Sequence, residues 1–383
     1  MPRPPLILAS HKLRGLSGKV ILVRENARRL ARGGWGVTVA AQDLDEEAFD
    51  TPGVGTLRVG RPPLSRVGRS WWLTRRVQAR ARRTGALVVG HGESLLRQDV
   101  LHVHNAVHRA HEALHGRPLD PGREPDFARA QRRILGTRAF TLVVANSRLV
   151  RDDLVERYGL DPDRVAVVYP GHDPERFHPA ATPETEELRR SVGARPGELV
   201  VGLVTSGDFR KRGVGPFLKA LGGLAGRQRA GLRVLVVGHE TPIDDYLGLA
   251  RRCGMGERVC FVEPREDVAT VYRALDLMVH PAAFEEFGMT VLEAMACGTP
   301  VLAPATVGAT ELLEHGAREE LLPGVEAADV RGAVAALLAD PDRRRRLGEA
   351  GIRAARGATW AANVRGHERV YERAAAGAAA CYI

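Results

Sequence analysis

The sequence predicts an α/β protein of two tandem Rossmann-like domains facing across a cleft, and three observations carry that prediction. Short apolar runs alternate with helical patterns along the chain, as stacked βαβ units on parallel sheets require. The alternation breaks at a polar, Pro-bearing stretch from Phe177 to Glu187, which reads as a linker, and then restarts. At 383 residues the chain also exceeds what one ordinary hydrophobic core organises. The expected division is an N-terminal domain over residues 1–177, a C-terminal domain over 178–360, and a helix over 361–383 that packs back on the N-terminal domain.

In the first domain, Pro5–Ser10 and Val37–Gln42 read as strands around a helix near Val20–Arg32. Ala86–Gly90, Val100–His104 and Leu142–Ala145 are further short apolar runs of strand length. Arg164–Tyr169 closes the set before the turn Pro170-Gly171-His172-Asp173-Pro174. In the second, strand Leu199–Val204 leads to helix Gly215–Leu224, and strand Val234–Val237 to helix Asp244–Cys253. Strand Val259–Val262 then precedes helix Asp267–Ala274, and strand Leu277–His280 precedes a helix from about Met289 to Ala296 and strand Pro300–Ala303. The last helix, roughly Ala361–Ala375, is rich in Ala and Arg, and no internal sequence repeat relates the two halves.

Composition narrows the class. Hydrophobic residues make up 44%, normal for a globular chain, while aromatics at 5% leave Leu, Val and Ala to fill the cores. No apolar run approaches the ~20 residues that span a bilayer, and the apolar stretch near the N-terminus is too short for a signal peptide. The four cysteines, Cys253, Cys260, Cys297 and Cys381, show no CxxC pairing. A reducing cytoplasm is the expected compartment, and neither a disulfide framework nor structural zinc is expected.

The net charge of +10 is one-sided: residues 1–183 carry 30 Lys+Arg against 19 Asp+Glu, and the remainder 26 against 27. A basic surface confined to one half points to an anionic partner. Its densest run, residues 61–83, holds eight arginines, no acid and the pair Trp71–Trp72. Two readings fit. One is an interfacial helix docking on an anionic membrane; the other is a solvated helix face whose tryptophans sit in the core. No helix-turn-helix, zinc or RNA-binding signature accompanies the charge, which argues against nucleic acid.

Several phosphate and metal motifs fail on inspection. Gly15-Leu16-Ser17-Gly18-Lys19-Val20 resembles a P-loop fragment, but its first glycine falls on Leu13 and Val20 replaces Ser/Thr. Gly33-Gly34-Trp35-Gly36 does not make GxGxxG. Asp161/Asp163 and Asp340/Asp342 enclose prolines ahead of helical starts, so they read as turns and caps. Asp43/Asp45 follows a strand without a second carboxylate group in reach, and no metal is expected.

One segment carries chemistry: His280-Pro281-Ala282-Ala283-Phe284-Glu285-Glu286-Phe287-Gly288-Met289-Thr290-Val291-Leu292-Glu293-Ala294-Met295-Ala296-Cys297-Gly298-Thr299-Pro300. Glu285 falls in a loop after a strand, and Gly288 opens the helix that carries Glu293. Such a helix start offers free backbone N–H groups and the positive end of a dipole, suited to a diphosphate. A carboxylate before the helix can hold sugar hydroxyls, and one farther in can accept from the two hydroxyls of a ribose. Simple electrostatic preference for acids at a helix start explains Glu285 and Glu286, but not Glu293 in an apolar run.

These residues resemble the E-x7-E motif of the large fourth family of glycosyltransferases, retaining enzymes with two Rossmann-like domains of the GT-B type. Ala145-Asn146-Ser147, Val168 to Phe177, Ser206 to Val214, Leu235-Val236-Val237-Gly238 and Phe261 to Arg265 are similar to that family as well, covering most of residues 140–320. Within it, the segment before the basic pair looks like that of bacterial lipopolysaccharide-core glucosyltransferases. The resemblance implies that Glu293 binds the ribose, Glu285 the transferred sugar, and the backbone amides around Phe287, Gly288, Met289 and Thr290 the phosphates. It implies that Lys211 and Arg212 neutralise the departing diphosphate, that Pro264 and Arg265 line the nucleobase, and that Gly18 sits in a glycine turn close to the donor. His104, in the run Leu101 to His108, falls where many relatives contact the sugar with a histidine; a structural polar loop is the other reading of that run. The chain departs from the family at Glu286, where Gly is usual, at Arg212, where Lys is usual, and at Ser206, where many members have Arg. The glycine pair of the N-domain is reduced to Ser17-Gly18.

The function so implied is retaining transfer of a hexose from a nucleoside-diphosphate sugar, a UDP-sugar by expectation, without metal or other cofactor. The expected acceptor is a lipopolysaccharide core or another cell-surface glycan or glycolipid, at the inner face of the cytoplasmic membrane. Two rivals share the fold, a nucleotide-sugar epimerase and a catalytically silent scaffold.

Overall fold

The computed structural model describes residues 3–15 and 17–380. They form two compact units: one runs to Gly171 and takes back the chain from Trp360 onward, and the other is His172–Thr359.

The first unit is built on β1 (Leu6–Leu13), α1 (Gly18–Arg32), β2 (Val37–Leu44), β3 (Val54–Arg58), α2 (Arg66–Thr84), β4 (Leu87–His91) and β5 (Val100–Val103). Helices α3 (Val107–His115) and α4 (Asp126–Thr137), strand β6 (Leu142–Ala145), α5 (Arg148–Tyr158) and β7 (Val165–Val167) complete this run. The seven strands make one sheet in the order β3-β2-β1-β4-β5-β6-β7, with every pairing parallel. Burial on both faces explains why β1, β4 and β5 read as continuous apolar runs.

The second unit contains α6 (Pro183–Ser191), β8 (Leu199–Val204), α7 (Val214–Gly222), α8 (Gly226–Ala230), β9 (Leu232–Val237), α9 (Asp244–Arg252), β10 (Val259–Val262) and α10 (Val268–Ala274). It continues through β11 (Leu277–Val279), α11 (Met289–Ala296), β12 (Val301–Leu302), α12 (His315–Arg318), α13 (Ala327–Ala339) and α14 (Pro341–Arg356). Its parallel sheet has the order β10-β9-β8-β11-β12. Each unit repeats one device beside its central strand. Asp99 accepts from the N–H of Val88 at 2.7 Å, and Asp276 from that of Val200 at 2.7 Å, anchoring the start of one strand to the next.

The final helix, α15 (Trp360–Ala380), belongs to the first unit. Val364, Val370, Tyr371 and Ala374 enter its core beside Leu8, Val23 and Leu30, and Gly366 meets Val168 so closely that a Cβ would lie 2.8 Å from it.

Three sequence expectations are corrected. The division falls at Gly171 rather than at residue 177, because His172 bonds Ala358 through backbone and ring, and Phe177 packs against Tyr272, both inside the second unit. The stretch Phe177 to Glu187 is not all linker: Pro183 opens α6, and Thr182 and Thr185 form a capping box there. Strand β3 has no counterpart among the expected elements, since Val54-Gly55-Thr56-Leu57-Arg58 is a short, largely exposed edge. Cys253, Cys260 and Cys297 are free thiols, and Cys381 lies outside the described residues.

Candidate functional site

In a doubly wound sheet the crevice opens at the carboxyl ends of the two strands where the chain order reverses. In the second unit these are β8 and β11. The loop after β8 carries Ser206, Lys211 and Arg212, and the loop after β11 carries Glu285, Glu286 and the start of α11. Two glycines let the loops meet. Gly213, at φ 73°, lies so near Pro281 that a Cβ would sit 2.2 Å from the Pro281 carbonyl oxygen. Gly288, at φ 90°, has room for a Cβ only 3.0 Å from Val307. Both are positive-φ positions that L side chains adopt rarely.

Across that crevice Arg212 ion-pairs with Glu285, and Lys211 Nζ lies 3.5 Å from Glu286 Oε2. Glu286, where the family commonly has Gly, is buried at 6% exposure, which its lysine partner makes tolerable. His280 closes the base of the group, with Nε2 3.8 Å from Glu285 Oε2. Burial, and then the Arg212 charge, push His280 down to about 3, so it is a neutral imidazole at pH 7. Burial also lowers Arg212, against the opposing charges of Glu286 and Asp208.

Glu285 is held from the backbone as well. Its N–H donates to Thr306 O at 3.0 Å, and its carbonyl accepts from Gly308 N at 3.1 Å, a parallel bridge that stiffens the loop. Beyond it, Val291 and Leu292 donate to Gly288 O, so the N–H groups of Met289 and Thr290 precede any intrahelical acceptor. Two cations and an open helix N-terminus on one crevice are groups of the kind that can take an anion, and the carboxylates beside them are hydrogen-bond acceptors.

Glu293 lies farther along α11. Tyr272 on α10 donates its hydroxyl to Glu293 Oε2 at 2.8 Å. Burial raises this carboxyl to about 7, and the Tyr272 hydrogen bond and the Arg176 charge restrain the rise. Pro264 and Arg265 are exposed in the loop after β10, and Ser206 is exposed after β8. These two loops leave the same carboxyl edge of the sheet as Lys211 and Glu285.

His104 and Gly18 belong to the first unit, near its own reversal point between β1 and β4. Gly18 is not in a turn: it is the first residue of α1, behind Ser17, and the left-handed glycine there is Gly15, at φ 84°. His104 follows β5, and its Nε2 lies 3.0 Å from His91 Nδ1. His102 bonds the Tyr371 hydroxyl at 3.2 Å and stacks on His367 at 4.8 Å. The run 101–108 is therefore a buried network that leaves His104 at its partly exposed end. Ring nitrogens of His91, His102 and His104 lie within 4.8 Å of one another, a donor set of the kind a metal takes. Lys19, one residue into α1, donates to Ser10 Oγ at 3.1 Å, and burial holds it below the usual lysine value. Beside it His11 is clamped between Gln42 at 2.8 Å and Ser70 at 2.9 Å.

Sequence reasoning missed Lys19, His91, Tyr272 and His280 as site residues. His280 and Lys19 were visible inside the motifs already singled out. Tyr272 and His91 carried no local signal, because only sheet order brings α10 to α11 and β4 to β5.

Two doubly wound units on parallel sheets, each with a crevice at its reversal point, define a fold of the GT-B type. Comparison with known proteins bears on the same class. Residues 16–176 match the family described as Glycosyltransferase Family 4, and residues 184–354 match Glycosyl transferases group 1. The two matches together take in most of the chain, and its fold is of the GT-B type, two doubly wound units on parallel sheets. It is 37% identical over 237 residues to a D-inositol 3-phosphate glycosyltransferase of Nocardia farcinica, covering 58% of this chain and 51% of that one. The chain spans about half the length of the curated relatives it matches. In fold it is similar to WaaG, a glycosyltransferase involved in lipopolysaccharide biosynthesis, with TM-score 0.73 and 22% identity over 92% of this chain and 95% of that one. It is also similar to Anabaena Alr3699/HepE in complex with UDP and glucose, with TM-score 0.76 and 20% identity over 97% and 100%. At these identities the structural likeness is one of fold.

Proposed function

We propose that this protein is a retaining hexosyltransferase that uses a nucleoside-diphosphate sugar, with a UDP-sugar as the preferred donor. The observation that carries the reading is the paired set Arg212–Glu285 and Lys211–Glu286 at the mouth of α11. In this reading Lys211, Arg212 and the N–H groups of Met289 and Thr290 take the diphosphate, and Glu285, released from Arg212, accepts from the sugar hydroxyls. Glu293 takes the ribose. The bond from the anomeric carbon to the phosphate oxygen breaks, and the acceptor oxygen bonds that carbon on the same face. The acceptor proton leaves on the departing diphosphate. The enzyme's contribution is then charge stabilisation and positioning, and no metal enters. His104 is neutral, its pKa pushed down to about 3 by burial, so in this reading it acts as a hydrogen-bonding group rather than as a charge.

The acceptor we propose is a polyhydroxylated molecule bearing phosphate. That chemistry is common to the inositol phosphate of the curated relatives' name and to a phosphorylated lipopolysaccharide core, and Lys19 with the basic first unit suits it. The enzyme would meet it in the cytoplasm, at the inner membrane face when the acceptor is a lipid.

The test incubates the protein with UDP-, GDP- and ADP-sugars, first alone and then with inositol phosphate or a deacylated core oligosaccharide. Nucleotide release that depends on acceptor, and a product of unchanged anomeric configuration, is expected. Arg212→Ala should lower kcat by about 10²–10³-fold. Epimerised donor, an inverted product, or no turnover with any donor would each overturn the reading.

A further inference from the structure

Among the described residues, the exposed large hydrophobic side chains are Leu64, Val67, Trp71 and Phe127. Three of them line the start of α2, and Phe127 opens α4, which packs against α2. Glu93 ties these two helix starts together. It lies 3.5 Å from Arg66 Nη2, and it accepts from Gln131 Nε2 at 3.4 Å, one turn beyond Phe127. The tryptophan pair divides its roles. Trp72 packs with Leu57 and Ala86 against Leu73, Val77 and Ala81. Trp71 points outward at 50% exposure, with the Arg75 guanidinium 5.7 Å from its ring.

Charge surrounds this apolar set. Helix α2 contains no acidic residue, and Arg75, Arg76, Arg80, Arg82 and Arg83 are all exposed. At helical spacing Val67, Trp71, Arg75 and Arg82 share one stripe. On the neighbouring stripe Arg76, Arg80 and Arg83, with Thr38 and Thr56, line a groove of about 480 Å³ between α2 and the edge strand β3.

We infer that this face docks on an anionic lipid bilayer, with Leu64, Val67, Trp71 and Phe127 entering the headgroup boundary and the α2 arginines taking lipid phosphates. Charge complementarity selects that occupant: a helix of arginines without one acid matches a negative leaflet. The apolar side chains stand singly among cations, which suits shallow insertion. A stable protein interface would want a contiguous packed patch of about 800 Å² on this partner. The groove then offers the arginine stripe to a headgroup phosphate.

The experiment floats the full-length protein, without donor, on vesicles of phosphatidylcholine alone or mixed with phosphatidylglycerol. Binding only to the mixed vesicles is expected, with a blue shift of tryptophan emission that Trp71→Ala removes. Trp71→Ala should weaken binding about tenfold, and Arg75→Glu, Arg76→Glu and Arg80→Glu together by at least about a hundredfold. Unchanged melting temperatures for these exposed positions will show that the fold is intact. Equal binding to neutral vesicles, or variants that bind like the parent, would overturn the inference. So would loss of single-stranded DNA binding in the same variants while vesicle binding stays intact. Transfer to a water-soluble acceptor is read separately: its absence would refute the proposed function and leave this result standing.

Discussion

Glu293 is a carboxyl group placed where ionisation is unfavourable, with burial outweighing the Tyr272 hydrogen bond and the Arg176 charge. Its folded pKa of about 7 exceeds the unfolded value near 4.5. Below the unfolded value the protonated acid carries no penalty. The penalty grows as pH rises between the two values, and above the folded one it reaches about 3 kcal/mol. Glu293→Gln should therefore raise the melting temperature of the free protein at pH 8 and leave it unchanged at pH 4.5. The same variant should weaken nucleotide binding at pH 8, because the neutral amide loses the charge that ribose hydroxyls prefer. Calorimetric scans and titrations at the two pH values check both signs, and a destabilised variant at pH 8 would contradict the account.

At the scale of elements, the site depends on two loops that touch through glycine. Gly213→Ala would place a methyl 2.2 Å from the Pro281 carbonyl oxygen at a φ of 73°. The loop after β8 must then move away from the loop after β11, and Lys211 and Arg212 move with it. A loss of about 2–4 kcal/mol is expected, together with a clear fall in nucleotide affinity. Gly215→Ala, two residues on in α7 with its nearest neighbour 4.0 Å away, should leave both unchanged. Thermal melts and nucleotide binding of the pair separate a local clash from a general intolerance of α7 to alanine. Helix α11 was readable from Gly288 and the apolar run after it, and its bounds agree with the expectation. The partner that orients Glu293 was not, since Tyr272 stands on another helix.

Across the whole molecule, buried histidines set the response to acid. His91 and His102 are held well below the usual imidazole value, His104 and His280 near 3 and His367 near 4, with burial the first cause each time. All five are neutral when folded and accept protons readily when unfolded. The unfolded state therefore binds more protons below about pH 6.5, and stability falls as pH drops from there toward the folded values. Glu293, Asp99 and Asp153, all raised by burial, act in the opposite direction over part of this window, but three carboxyls do not offset the seven lowered imidazoles, His11 and His172 included. Melting temperature should drop steeply between pH 6.5 and 4.5, and a flat profile would contradict the buried network. Histidines His91, His102, His104 and His367 meet through three separate stretches of chain, β4, β5 and α15.

What the sequence determined by itself is what local periodicity and spacing encode. Alternating apolar runs specified two doubly wound units, and the helix start at Gly288 with its flanking carboxylates carried the resemblance from which the candidate site was expected. Tertiary structure decided what depends on which strands become neighbours. The reversal points at β1/β4 and β8/β11 bring Lys19 to His104's end of the first sheet, and Arg212 to Glu285 in the second. No spacing along the chain records those pairings. Tertiary structure also divided the two tryptophans, because a helix buries only the stripe that meets its sheet: Trp72 falls on that stripe's edge and Trp71 does not. A pattern of residues tells which chemistry a chain can carry. Only the packed sheet order tells which groups share one crevice, because contact is set by folding rather than by distance along the chain.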